Sequence, residues 1–201
     1  APEQIPYLGL LKSVLGYVDT EHYTYGELFN EINANTGGIN CGVEVFDRAD
    51  STEEFQAMFS VRGKALYTKM DFLFKMIGEI LNCSKLEDTK RLYEIVASVK
   101  SRAQVNLTGA GHSTAVLRAA AYSSPMAAFQ DEMAGIGYYQ FIEKLEKDFE
   151  QRKEETVEEL CKLMKKILRP ENFMISYTGE RESLETVQKL AGAVKAGLGT
   201  E

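Results

Sequence analysis

The sequence is poorest in the groups that build catalytic centres. Only two histidines occur among its 201 residues, His22 and His112, and they lie far apart in the chain. A helical zinc motif of the H-E-x-x-H or H-x-x-E-H kind needs two imidazoles on successive turns, so neither can be written here. Cysteine is scarce and odd in number. Cys41, Cys83 and Cys161 are dispersed, with no C-x-x-C, and read as incidental thiols in a reducing compartment. No run approaches the ~18 consecutive apolar residues of a membrane span, and no signal-peptide pattern opens the chain. Bases are outnumbered, 23 against 30 acids, for a net charge of −7. That balance argues against nucleic acid or an anionic membrane as the main partner. A cytoplasmic location is the expectation that follows. With four prolines and no low-complexity linker, residues 1–201 read as a single α+β domain. The first residue is Ala rather than Met, and the chain is expected to be a processed product or an excised piece.

What is present reads as alternating helical and extended segments. Leu8, Leu11, Leu15 and Val18 have helical spacing and predict a buried helix over 7–18. Thr24 opens a second helix whose apolar face carries Leu28, Phe29 and Ile32. Asn35, Thr36, Gly37 and Gly38 stop it. Residues 39–47 and 54–62 predict an antiparallel strand pair, with "DRADST" as the hairpin loop and the double glycine as the hinge before it. Leu66, Met70, Leu73, Ile77 and Ile80 mark the next helix. Leu92, Ile95, Val96 and Val99 mark another, opened by "LEDT". Residues 112–134, 136–149 and 150–168 predict three more helices. Phe173, Ile175 and Tyr177 alternate as a third strand, and Leu184, Val187, Leu190 and Val194 close the chain with a helix. The fold class is α+β, a small, mainly antiparallel sheet covered on one face by several helices.

Candidate chemistry is thin. His22 precedes a helix and reads as exposed. "TGAGHST", residues 108–114, could present backbone N–H groups to an anion, and His112 beside Ser113 suggests a nucleophile. It lacks the lysine and spacing of a phosphate loop, and adjacent helical residues do not face each other. A helix entry capped by Ser113 or Thr108 is the simpler reading. The acidic stretch from Glu143 to Glu159 reads as a solvated helix face, and Tyr138 and Tyr139 as packing residues. No catalytic, metal-binding or cofactor-binding residue is assigned.

"IPYLGLLKSVLGYVDTEHYTYGELFNEINANTGGINCGVEVF" and "GHSTAVLRAAAYSSPMAAFQDEMAGIGYYQFIEKL" nevertheless resemble one family, the presequence-protease branch of the insulinase (pitrilysin) zinc peptidases. The resemblance covers roughly residues 5–180 and lies with the third of four similar α+β units that enclose a chamber. It implies that zinc belongs to the first unit of a parent enzyme, on an H-x-x-E-H helix that corresponds to residues 6–18 here. At that place Pro6, Gly9 and Leu10 stand where His, Glu and His would be required. An Arg–Tyr pair that handles substrate is expected in the fourth unit, and Arg118 and Tyr122 are left as structural residues.

The function implied is a non-catalytic unit of a zinc metalloendopeptidase that degrades peptides in a closed chamber. No cofactor is expected in this chain, and its partners would be the remaining units and the peptide substrate. The chain reads as a fragment lacking the family's leading strands and the fourth unit, so a fragment homodimer formed through exposed strand edges is expected. The alternatives are a scaffold or interaction protein that keeps the fold without enzymology and, more weakly, a free-standing hydrolase using Ser113 and His112. Residues 6–18 are expected to form a helix on the sheet, with Gly9 and Leu10 in the interior.

Overall fold

The computed structural model describes residues 2–199, apart from the side chains of Thr52 and Glu53. Nine α-helices and one β-hairpin are found among the described residues, an α+β fold dominated by its helices. In order these are α1 Ile5–Val14, α2 Tyr25–Asn35, β1 Ile39–Arg48, β2 Ser51–Gly63, α3 Met70–Asn82 and α4 Thr89–Gly109. There follow α5 Gly111–Ala120, α6 Pro125–Ala134, α7 Ile136–Lys147, α8 Phe149–Ile167 and α9 Leu184–Gly197. Two compact units share the chain in alternating segments. The first contains residues 1–14, 42–60 and 86–163; the second contains 15–41, 61–85 and 164–201.

In the first unit α1 packs on α6, α4 and α7, while α7 lies along α4 and α6. The expected seat of α1 on the sheet is therefore replaced by helices. Leu10 and Val14 are fully buried and Leu11 nearly so, as their helical spacing requires. Gly9 permits the close approach. A Cβ there would stand 2.6 Å from the Met133 carbonyl oxygen and 2.7 Å from the Tyr138 ring. Pro6 fits the first turn, where its missing N–H costs no hydrogen bond. The helix ends at Val14, short of the expected 18, and Gly16 follows at φ +87°. Leu15 and Val18 remain buried beyond the helix.

The second unit is built on α3, which packs against α2 and α9. Thr24 and Glu27 form a capping box at the start of α2: the Glu27 N–H donates to Thr24 Oγ1, and the Thr24 N–H donates to the Glu27 carboxylate. Leu28 and Ile32 are buried as expected, but Phe29 is exposed. After α2, Gly38 takes φ +105° and turns the chain into β1. The Gly37 N–H donates to the Lys64 carbonyl at 2.7 Å, so the double glycine does close the reversal.

The sheet differs from expectation in extent. Its two strands are joined through Ala49 and Asp50 alone, so the six-residue loop "DRADST" shrinks to a tight turn. Residues 173–177 form no strand. Their alternation gives an extended backbone, but a strand also needs a hydrogen-bonding neighbour. Here the Tyr177 hydroxyl donates to the Glu180 carbonyl, and the Glu180 N–H donates to the Tyr67 hydroxyl. The expected helix 112–134 is split in two. Ser124 accepts the Ala127 N–H as an N-cap, and Pro125 occupies the first turn of α6.

Candidate functional site

The segment "TGAGHST" is the junction of two helices. Gly109 closes α4, Gly111 opens α5, and Ala110 is their shared cap. Thr108 Oγ1 donates back into α4, to the Gln104 and Val105 carbonyls, and no side chain caps α5. The expected capping by Ser113 or Thr108 is thus absent, because the helices leave no loop to cap. His112 and Ser113 are both exposed on the first turn of α5. Beside them an open groove of about 430 Å³ is lined by Leu107, Thr114, Ala115, Ile136, Tyr139 and Gln140, among others. Its polar groups are engaged: Thr114 Oγ1 donates to the Ala110 carbonyl, and the Tyr139 hydroxyl donates to Glu143.

Arg118 forms an ion pair of 2.6 Å with Asp131, a carboxylate that is only 1% exposed. Asp131 also accepts the N–H groups of Ile136 and Gly137 at 3.0 and 3.1 Å, which satisfies the start of α7. One carboxylate therefore joins α5, α6 and α7. Tyr122 is exposed, its ring centroid 5.8 Å from the Arg118 guanidinium. Sequence reading misses the role of Asp131, although an acid placed shortly before a glycine-led helix is a usable signal.

Tyr7 forms a second polar link in the first unit. Its hydroxyl donates to Glu155 and accepts from Arg152, both on α8. Burial raises its pKa above the ordinary tyrosine value, the Arg152 charge opposing. Tyr138 is buried without a hydrogen bond to its hydroxyl, and burial pushes its pKa up strongly.

In the second unit His22 does not stand alone. Its Nδ1 lies 3.0 Å from Glu79 Oε2, and its backbone N–H donates to Glu79 Oε1 at 3.1 Å. The Glu79 carboxylate is 7% exposed while the His22 side chain is 62% exposed. Burial acts to raise the Glu79 pKa, but hydrogen bonds from the Thr20 hydroxyl and from His22 outweigh it and hold the carboxyl below the usual range. Cys83 caps the C-terminus of α3. Its thiol is pushed up, first by burial and then by the charges of Glu79 and Glu21. One donor atom from each of Glu21, His22 and Cys83 lies within 4.8 Å of the others. No sequence spacing could reveal this group, because a long stretch of chain separates its members.

Cys41, Cys83 and Cys161 are all half-buried thiols. Burial of the Cys41 sulfur pushes its pKa up to about 12, which makes it a poor nucleophile. No helix among the described residues is long and apolar enough to cross a membrane.

The assembled site contains no nucleophile–base pair in hydrogen-bonding contact, and homology decides the family. Residues 1–145 match the family described as associated with peptidase M16, subfamily C. The chain belongs to this family. It is 32% identical to protein HypA of Clostridium perfringens, over 92% of this chain and 19% of that protein. It is 30% identical to the mitochondrial presequence protease of Yarrowia lipolytica, over 75% of this chain and 15% of that protein. It is also 25% identical to presequence protease 1, chloroplastic/mitochondrial, of Arabidopsis thaliana, over 93% of this chain and 17% of that protein. This peptidase-associated chain thus spans less than a fifth of the length of these relatives. Its place is in the presequence-protease branch of the insulinase family, as a non-catalytic unit of an M16 peptidase.

Proposed function

We propose that the chain forms part of the wall of a closed chamber in a zinc metalloendopeptidase, where it helps hold an extended peptide while hydrolysis proceeds on another unit. Exclusion of water around a positioned peptide is the service such a wall performs. The observation that carries this reading is α1. Its match to the family sets it against the zinc-motif helix, yet it buries Pro6, Gly9 and Leu10 against neighbouring helices and offers no ligand there. Its partners would be the other units of the parent protein and the peptide itself. Three half-buried thiols suit a reducing compartment, in keeping with a cytoplasmic parent.

Assaying the parent protein and the isolated chain on an unfolded peptide tests the proposal. The parent should cleave, lose activity to a chelator, and carry H-x-x-E-H outside this chain; the isolated chain should not cleave with or without added zinc. Cleavage by the isolated chain would end the non-catalytic reading. A parent without the zinc motif would move the function to a scaffold. The hairpin also offers unpaired strand edges among the described residues, which supports self-association of the isolated chain by strand pairing. Light scattering over a dilution series should show a mass that rises with concentration.

A further inference from the structure

Two short segments of the second unit lie antiparallel where Thr20 bridges Ser84. The Glu21 N–H donates to the Cys83 carbonyl at 3.0 Å, and the Lys85 N–H donates to the Asp19 carbonyl at 2.8 Å. The Cys83 N–H is held in turn by the Glu79 carbonyl at 3.0 Å. Backbone bonds therefore fix the positions from which Glu21, His22 and Cys83 project. Their three donor atoms, a carboxylate oxygen, an imidazole nitrogen and a thiol sulfur, lie within 4.8 Å of one another.

The donor set selects the ion. A thiolate with an imidazole suits zinc, whereas calcium and magnesium call for an all-oxygen shell. Tetrahedral zinc with bonds of about 2.0–2.3 Å places its ligands roughly 3.5 Å apart. Closing from 4.8 Å requires only side-chain rotation at Glu21 and His22, both of which are exposed. The second observation is Glu79. A buried carboxylate that accepts Nδ1–H fixes the imidazole tautomer, leaves Nε2 to ligate and orients the ring, as carboxylates behind metal-bound histidines do.

We infer that Glu21, His22 and Cys83 form a zinc site, with water as the fourth ligand and Glu79 as the positioning residue for His22. Cys83 gives up its thiol proton to solvent on binding. The ion clips the segment that precedes α2 to the C-terminal end of α3. This site is independent of the peptidase reading, and it departs from the expectation of a chain without metal ligands.

Titration of the 201-residue chain with cobalt(II), followed by displacement with zinc, tests the site. One equivalent should bind with a thiolate-to-cobalt charge-transfer band in the near ultraviolet, and zinc should abolish the band. Cys83→Ser should remove the band and His22→Ala should weaken binding at least tenfold. Glu79→Gln should weaken it about 10–100-fold. Cys41→Ser and Cys161→Ser should leave it unchanged. No band, a band that survives Cys83→Ser, or one lost equally in Cys161→Ser would overturn the site. Because a variant could fail to fold, alkylation of the unmutated chain provides a second measurement. Zinc should slow modification of Cys83 selectively, and an unchanged rate would refute ligation.

Discussion

Tyr138 carries an apolar ring where one is needed and a hydroxyl that the interior does not satisfy. Leaving a buried polar group unpaired costs about 1–3 kcal/mol, so Tyr138→Phe is expected to stabilise the chain by roughly 1 kcal/mol. Thermal unfolding should show a rise of a few degrees; a fall would mean that an ordered water serves the hydroxyl. The same substitution changes the response to alkali. Burial raises the folded-state pKa of Tyr138, so its contribution is complete below the ordinary tyrosine value and is lost as pH rises through the folded value. Unfolding measured across the alkaline range should have a shallower slope in the Phe variant. Gly9 tests the opposite limit of packing. Alanine would gain about 1 kcal/mol of helix propensity, but overpacking costs about 1–3 kcal/mol or more. The Met133 carbonyl is backbone and cannot step aside, so the clash wins. Gly9→Ala should lower the urea midpoint.

At the scale of the element, junctions rather than helix interiors carry the information. Asp131→Ala would remove the acceptor for two α7 amides together with the partner of Arg118. A loss of about 2–4 kcal/mol is expected in denaturant unfolding, with Asp131→Asn falling between it and the parent. Gly38→Ala should cost about 1–2 kcal/mol, because φ +105° at that position strains any L side chain. These junctions also divide what can be read in advance from what cannot. The α4 and α9 segments, the α2 start at Thr24 and the reversal at Gly38 are all legible, since spacing and local capping act within a few residues. The break at Ser124–Pro125 is equally local, but a continuous apolar pattern runs across it and hides it. Phe173–Tyr177 misleads for a different reason: alternation reports backbone shape, and no local signal says whether a partner strand exists. The Glu21–His22–Glu79–Cys83 group is invisible in the sequence, because tertiary folding alone brings its members together.

For the whole molecule, the order of segments matters more than any single contact. Six alternating stretches make up the two units, so the chain passes between them five times and neither unit is a contiguous piece. In the second unit α3 relies on α9, which arrives from the far end of the sequence. A chain ending before Leu184 is expected to leave α3 without that partner. Limited proteolysis should then cut within 61–85 while sparing 86–163. Equal resistance of both regions would show that α9 is dispensable.

The hairpin has no fully buried residue among those whose side chains are described. Its cross-strand hydrogen bonds are therefore shielded by little apolar cover, although the ring of Phe55 meets that of Phe129 at 5.3 Å. Amide protons report such a difference as a rate. Those of β1 and β2 should exchange with deuterium through small local openings, long before the amides of α1 and α7. The part of the chain that most resembles a sheet would then be the first to yield its backbone to solvent, and the first available to pair with something else.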